Sequence, residues 1–281
     1  QGRPRRPDHG DAGGRGPGPA VTGAARSSWL TGALVAGAIL AAWAAAVEIT
    51  GVSRALMPSP RRVFDAFVEV VESGELKRHV AVSTLRLIVG FLLSALLGLT
   101  MAFVFARSAL VRRILEPPLE FLRQIPPLAM MPLLILWLGI GEAQKIGIIT
   151  LACFFPIFLS TAGGIGQCDR RIIEVGQVYG LTDTEILRRI VLPAALPSVV
   201  VGLRIALGQG WRALVGAELI ASAAGLGYMI EDSQNLARTD IVMVGVLVIG
   251  CLGLISDRLF RMAVGRIWPW VPLGSGEAGN A

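Results

Sequence analysis

The chain has 281 residues, of which 53% are hydrophobic and 16% are charged, and its mean hydropathy is +0.64. Soluble domains carry about 25% charged residues, so this composition excludes an ordinary soluble globule and, for most of the length, disorder. The formal net charge is +6 at pH 7. Because the arginines are scattered between apolar segments, we interpret them as basic loops of a membrane protein and expect no nucleic-acid partner.

The N-terminal region changes character along its length. Residues 1–28 are rich in Gly, Pro and Arg, cannot bury a core, and are predicted to form a disordered cytoplasmic tail. Residues 29–47 form an apolar run long enough to be a first transmembrane helix. A signal peptide is the alternative, because residues 42–44 resemble a small-residue cleavage site that follows a basic tail.

Residues 52–80 are predicted to be an external amphipathic segment. Ser59 is the expected N-cap of its helix and Pro60 the first helical residue. Apolar side chains then recur at helical spacing between charged ones, so the helix is expected to lie on a surface rather than span the bilayer.

Five further apolar segments bring the total to about six transmembrane helices, and we expect an all-α integral membrane protein. These segments are residues 83–105, about 126–138, 144–162, 197–220 and 241–260. They make up a core of residues 81–265, which a C-terminal tail, 266–281, follows. Six spans place both termini on one side, and the basic residues of the short loops favour the cytoplasm.

Small residues stand four apart in two of these segments, a pattern that lets helices approach closely. One set is Gly90, Ser94 and Gly98, and the other is Gly202, Ala206 and Gly210. Such faces can pack within one subunit or across two, and the sequence does not choose between these arrangements.

The loop of residues 168–195, between the fourth and fifth spans, is polar yet regularly patterned. Gly180 is expected to end a first short helix, because glycine readily adopts a positive φ. Residues 182–185, Thr-Asp-Thr-Glu, form a capping box that opens a second helix. Leu192-Pro193 is expected to end that helix. Two short helices at the membrane surface could dock on a soluble partner, or they could be a solvated interhelical loop.

Five residues of this loop carry a resemblance to a known family. Glu174, Gly180, Ile190, Leu192 and Pro193 have the spacing E-x5-G-x9-I-x-L-P, which resembles the cytoplasmic loop motif of ABC-importer permeases. That motif begins Glu-Ala-Ala, whereas this chain has Glu-Val-Gly. Five further segments are similar in sequence to the nitrate, sulfonate and taurine permease group. They are residues 56–60, 121–128, 136–141, 217–220 and 225–228.

The resemblance implies the type I ABC importer permease fold and a set of partners. These are ABC ATP-binding subunits, a periplasmic or lipid-anchored solute-binding protein, and a second permease subunit in a homodimer. The implied location is the bacterial plasma membrane, and the implied solute is an organic sulfonate, taurine or a nitrate-like anion. The alternatives are the same architecture with another small solute, an autonomous channel or a structural membrane protein.

ATP hydrolysis is expected on another chain. A P-loop needs a Gly-Lys pair, and neither lysine has one, because Lys77 follows Leu76 and Lys145 follows Gln144. We therefore expect no cofactor on this chain and ATP on the partner subunit. His9 and His79 lack neighbours at metal-ligand spacing, so no metal site is expected. An intramembrane enzyme would need converging groups such as a Ser-His dyad, and no His lies inside a span, so no catalytic site is expected.

Charged residues within the fifth span form the candidate translocation path. Arg204, Arg212 and Glu218 each lie in an apolar run, where a charge costs ~2.5–3.5 kcal/mol unless it faces protein or water. They could line a path that attracts an anion, or they could form pairs between helices. Arg86, near the end of the second span, is expected to lie at the membrane interface.

Overall fold

The protein is represented by a computed structural model that describes residues 22–50 and 57–271. The described residues form helices joined by turns and contain no strand, which confirms the all-α fold class. Contacts divide the chain after residue 52 into two units. Residues 1–21 of the predicted tail and residues 272–281 lie outside the described residues.

Eleven α-helices, one 3₁₀ turn and one π-helical turn make up the described part of the chain. They are α1 (Thr22–Thr50), α2 (Pro60–Glu72), α3 (Glu75–Arg107), α4 (Ala109–Gln124), the 3₁₀ turn Pro127–Met130, α5 (Met131–Leu138), α6 (Glu142–Gly166), α7 (Arg170–Val178), α8 (Asp183–Ile186), the π turn Leu187–Val191, α9 (Leu192–Ala221), α10 (Leu226–Asn235) and α11 (Thr239–Ile267).

The first unit contains α1. The helix begins at Thr22, so residues 22–28 are helical rather than part of a disordered tail. Alanine and arginine in this stretch favour helix, which extends the helix of the apolar run towards the N-terminus. The apolar part of α1 with described side chains, Gly37–Ile49, is shorter than a full span.

Four helices of the second unit are long and apolar enough to cross a membrane: α3, α6, α11 and the helical stretch Asp183–Ala221. A fifth crossing exists only if α4 and Pro127–Leu138 are taken together, and this pair is bent by 95°. The expected third span, 126–138, is therefore only part of a broken one. Prolines at the junction explain the break, because they remove backbone donors and disfavour a continuous helix.

Helix α2 is amphipathic and is capped by Ser59, whose Oγ accepts a hydrogen bond from the Arg62 backbone N–H at 3.4 Å. Glu69 on α2 accepts a hydrogen bond from the Arg238 guanidinium, at 2.7 Å, just before α11. This bond lowers the pKa of the Glu69 carboxyl below its usual value. Arg238 also binds Asp240 at 3.0 Å, so one guanidinium joins α2 to the start of α11.

The core is built on α6, which packs against α3 on one side. A Cβ at Gly90 would lie 2.6 Å from Ile149 Cγ2, and a Cβ at Gly98 would lie 3.1 Å from Ile157 Cγ2. In both contacts the residue on α6 comes 59 positions after the residue on α3 (149 − 90 and 157 − 98), so the two helices run parallel. The small residues of α3 thus allow its backbone to approach α6 closely.

An adjacent face of α6 packs against α9, which also touches α3, because a Cβ at Gly210 would meet both Leu87 and Cys153. A Cβ at Gly164 would lie 2.6 Å from Ser198 Cβ, and one at Gly202 would lie 2.5 Å from Ser160 Cβ. From the first contact to the second, the residue number rises on α9 and falls on α6, so the two helices are antiparallel. The structure therefore places the small-residue faces of α3 and α9 inside the subunit.

These directions give the bundle two ends. The N-termini of α3 and α6 lie with the C-terminus of α9 and with α10, and we call this the α10 end. The C-termini of α3 and α6 lie with α7 and the start of α9, and we call this the coupling end. Because α3 and α6 are parallel, residues 108–141 must return along the bundle, and the bent pair makes this return.

We predict opposite effects for two adjacent glycines of α6. Gly164→Ala should lower the melting temperature in detergent by about 2–10 °C, because the new methyl group overlaps Ser198 and overpacking costs ~1–3 kcal/mol. Gly163→Ala should leave the melting temperature unchanged or raise it by a few degrees, since a Cβ there meets nothing within 4 Å and alanine is the better helix former. Equal destabilisation by both variants would contradict the packing of α9 on α6.

Candidate functional site

The coupling segment, residues 168–195, begins with a helix that is closed at both ends. Asp169 caps α7, and its Oδ1 accepts a hydrogen bond from the Arg171 N–H at 2.9 Å. At the other end, Gly180 has φ +75° and its N–H donates to the Gln177 carbonyl at 2.9 Å. The Leu181 N–H donates to the Gly176 carbonyl at 3.1 Å. These two bonds form a Schellman motif, so Gly180 sets the direction in which the chain leaves α7.

Gly176 lies where the family motif has alanine, and its close packing against two isoleucines explains why a glycine fits here. A Cβ at this position would lie 2.8 Å from Ile190 Cδ1 and 3.3 Å from Ile186 Cγ1. Ile190 fills the space that the missing methyl group leaves. Glycine therefore lets α7 fold back onto the start of the next helical stretch, and the departure from the motif keeps the segment compact.

The second half of the coupling segment opens with the predicted capping box. Thr182 Oγ1 accepts from the Glu185 N–H at 3.3 Å, and Glu185 Oε2 accepts from the Thr182 N–H at 3.0 Å. The expectation that Leu192-Pro193 ends this helix is wrong, because α8 continues through the π turn into α9. The Leu192 N–H bonds to the Leu187 carbonyl five residues back. This wider turn admits Pro193, whose missing N–H would otherwise interrupt the helix.

Apolar side chains on α7 point away from the protein. Val178 is 87% exposed and Tyr179 is 82% exposed, and Ile172 and Val175 are also exposed. Glu174, beside them, is exposed and lies 3.8 Å from Arg170. A rigid projection with an apolar, charge-flanked surface is suited to contact another protein.

The α10 end holds a network of buried charges. Arg86 is 4% exposed and therefore lies inside the subunit. Its Nη1 donates to Glu218 Oε1 at 2.7 Å, and its Nε and Nη2 donate to the two carboxylate oxygens of Glu142, each at 2.6 Å. Lys145 Nζ donates to Glu142 Oε1 at 3.2 Å. Two cations and two anions therefore balance at this end of the bundle, where Arg86, Lys145 and Glu218 are buried and the Glu142 side chain is 59% exposed.

Glu218 also holds the start of α10. Its carboxylate accepts from Ser83 Oγ at 2.8 Å and from the Gly227 N–H at 3.0 Å. Ser83 Oγ accepts from the Leu226 N–H at 2.9 Å, and His79 Nδ1 accepts from the Gly225 N–H at 3.0 Å. The first N–H groups of α10 are thus satisfied by side chains of α3 and α9. Glu218 has no exposed surface in the subunit, so the structure places it in this interior network.

The two arginines of the candidate path have different surroundings. Arg204 Nε donates to Asp257 Oδ1 of α11 at 2.6 Å, and Arg261 also pairs with Asp257 at 3.1 Å. Arg212 is exposed and makes no ion pair or hydrogen bond with the residues that the structure describes. Arg204 is therefore paired and Arg212 is not, although the sequence assigned both to the same candidate path.

Comparisons with known proteins identify the family. Residues 94–269, more than half of the chain, match the binding-protein-dependent transport system inner membrane component family. The chain belongs to this family. A putative aliphatic sulfonates transport permease of Bacillus subtilis (strain 168) is 36% identical over 88% of this chain and 90% of its own length. The taurine transport system permease of Escherichia coli (strain K12) is 33% identical over 83% and 86%, respectively.

More distant relatives agree with this membership. The nitrate import permease of Leptolyngbya laminosa is 29% identical over 68% of each chain. An amino acid ABC transporter crystallised with histidines has a TM-score of 0.58 at 13% identity and covers 72% of this chain and 96% of its own. The inward-facing methionine transporter MetNI has a TM-score of 0.52 at 19% identity, covering 64% and 92%. These structures establish the importer permease fold, and the family makes the chain a transport subunit rather than an enzyme.

Sequence reasoning missed the network around Arg86, although a signal was present. Arg86 and Glu218 are opposite charges in two different apolar segments, and charges in such segments usually pair. The sequence could not indicate which span lies beside which. Gly225, with φ +124°, is a further missed residue, because a Cβ there would overlap the Glu218 carboxylate.

We predict that Arg86→Gln destabilises the subunit strongly. Glu218 is fully buried, and removing its ion-pair partner leaves an uncompensated charge, which costs ~3–5 kcal/mol. Thermal unfolding in detergent should show this loss as a fall of about 6–20 °C in melting temperature. Arg123→Gln is the matched control, since Arg123 pairs with Glu120 on the surface and such pairs contribute ~0–1 kcal/mol. An Arg86→Gln protein as stable as the Arg123→Gln protein would contradict the assignment.

Proposed function

We propose that this chain is the membrane-spanning permease subunit of an ATP-driven importer of small anions in the bacterial plasma membrane. The observation that carries the proposal is the projecting coupling segment, whose apolar surface is exposed on α7 and whose second helical stretch continues directly into α9. The segment docks on a separate ABC ATPase that binds the ATP, and this chain carries no cofactor. A solute-binding protein outside the cell delivers the solute.

The proposed topology follows from the position of the coupling segment. If it meets a cytoplasmic ATPase, the coupling end faces the cytoplasm and the α10 end, with α2, faces outwards. Helix α11 then ends on the cytoplasmic side, and α1, as a further crossing, places the N-terminal tail there too. Two copies of the chain form the transporter, with the path between them.

The proposed solute class is a small anion whose charge is spread over several oxygens. Relatives at 36%, 33% and 29% identity are named for aliphatic sulfonates, taurine and nitrate, and sulfonate and nitrate groups share this chemistry. Uptake of ethanesulfonate, taurine and nitrate by the complete transporter in proteoliposomes tests the class.

The shape of the coupling segment gives one test of ATPase docking. Gly180→Val should lose ATP-dependent uptake by tenfold or more while the protein still inserts, because a β-branched residue is strained at φ +75°. Gly180→Asn is the matched control and should keep most of the uptake, since asparagine tolerates this conformation. Unimpaired coupled transport by Gly180→Val would overturn the role of the bend.

The exposed surface of α7 gives a second test. Val178→Glu places a charge where we expect an apolar contact, so co-purification of the ATPase should fall at least tenfold without a change in melting temperature. Leu236→Glu makes the same change on an exposed leucine at the α10 end and should leave the ATPase bound. Equal ATPase recovery from both variants would contradict docking through α7.

A further inference from the structure

The exposed face of α9 changes in chemistry about halfway along the helix. From Val201 onwards, the exposed positions fall within an arc of about 120° at 100° per residue, so they form one stripe. In chain order they are Val201, Ile205, Gly208, Gln209, Arg212 and Ile220. The stripe is apolar at both ends and polar or small in the middle, with Arg212 near its centre line.

Arg212 lies about a third of the way into the bundle from its α10 end. Gly210, two positions earlier, packs against Cys153: a Cβ at Gly210 would lie 2.9 Å from Cys153 Sγ. Because α9 is antiparallel to α6, Arg212 is level with Thr150, about 12 Å from the start of α6 (Glu142–Gly166). A charge this far inside a span normally faces protein or water.

Unlike Arg86 and Arg204, Arg212 has no counter-charge among the residues that the structure describes. Arg86 is shared by two carboxylates and Arg204 is held by Asp257. Within the described ranges, neither the Arg212 guanidinium nor the Gln209 amide makes a hydrogen bond or ion pair with another residue. An unpaired charge is costly against lipid, so this face must look onto water or another protein.

A groove continues the stripe towards the coupling end. It lies between α6 and α9, has a volume of about 440 Å³, and reaches Val201, the first residue of the stripe. Its lining includes Ser160, Gln167 and Ser198. Polar side chains thus recur in the middle of α9 and in the groove beside the coupling segment, with Val201 and Ile205 between them.

We propose that Arg212, with the Gln209 amide beside it, is the contact that selects anions in the water-filled translocation path. The proposal rests on the proposed function and names the residues that act on its solute class. A guanidinium presents paired N–H donors that match two oxygens of a sulfonate or nitrate. Gln209 lies three positions earlier on the same face and adds a neutral donor. Arg204 takes no part, because Asp257 neutralises it.

The first arm of the test needs no knowledge of the solute. In the assembled transporter, with Cys168 and Cys251 replaced by alanine and the buried Cys153 kept, Gln209→Cys is labelled with 2-sulfonatoethyl and 2-trimethylammonioethyl methanethiosulfonate. The anionic reagent should react faster, and Arg212→Gln should reduce the anion-to-cation rate ratio at least fivefold. Arg204→Gln should change that ratio less than twofold. No labelling of Gln209→Cys, or a ratio unaffected by Arg212→Gln, would overturn the proposal.

The second arm measures uptake of ethanesulfonate and nitrate. Arg212→Gln should lower uptake at least tenfold while the ATPase stays bound, and Arg212→Lys should recover part of it. The double variant Arg204→Gln with Asp257→Asn should remain within twofold of the wild type, because it removes a neutral pair. Wild-type uptake by Arg212→Gln would overturn the proposal. A wild-type transporter that takes up neither anion would instead overturn the solute class, and the labelling ratio would still decide the role of Arg212.

Discussion

The structure depends on the close approach of α6 to the two helices beside it. At four glycines of α3, α6 and α9, any side chain would overlap a residue of the neighbouring helix. The pairs are Gly90 with Ile149, Gly164 with Ser198, Gly202 with Ser160, and Gly210 with Cys153. Lipid tails are as apolar as leucine, so burying hydrophobic surface does little to hold spans together. Van der Waals contact between closely packed backbones must do so. This contact fixes α3 parallel and α9 antiparallel to α6, and the two ends of the subunit follow from it.

The long helical stretch Asp183–Ala221 connects these ends. It has 39 residues, which corresponds to about 58 Å of helix, and it begins in the coupling segment and ends at Glu218 and the turn into α10. Proline occurs twice near its start, yet the π turn keeps the helix continuous. The stretch therefore joins the coupling segment to the α10 end without an intervening loop. The second half of the coupling segment and the proposed anion contact thus lie on one helical stretch.

The sequence predicted local features well and contacts between helices poorly. Gly180 and the capping box were predictable because their causes lie within four residues of one another. The continuation of the helix through Pro193 was not, since a π turn depends on how Ile186 and Ile190 pack against Gly176. The Arg86–Glu218 pair was also hidden, because its members are 132 positions apart in the chain. Hydropathy indicated which segments are apolar enough to span a membrane, but it did not indicate which helices pack together. It also could not reveal that one candidate span consists of two helices bent by 95° relative to each other.

The charges within the bundle divide according to what surrounds them. The buried groups Arg86, Lys145 and Glu218 and the exposed carboxylate of Glu142 compensate one another at the α10 end, where an unpaired buried charge would be most costly. Arg204 and Arg261 share Asp257 on a partly exposed face. Within α9, Arg212 has no counter-charge among the described residues. A mobile anion is a counter-charge that can arrive and leave, which agrees with the proposed contact.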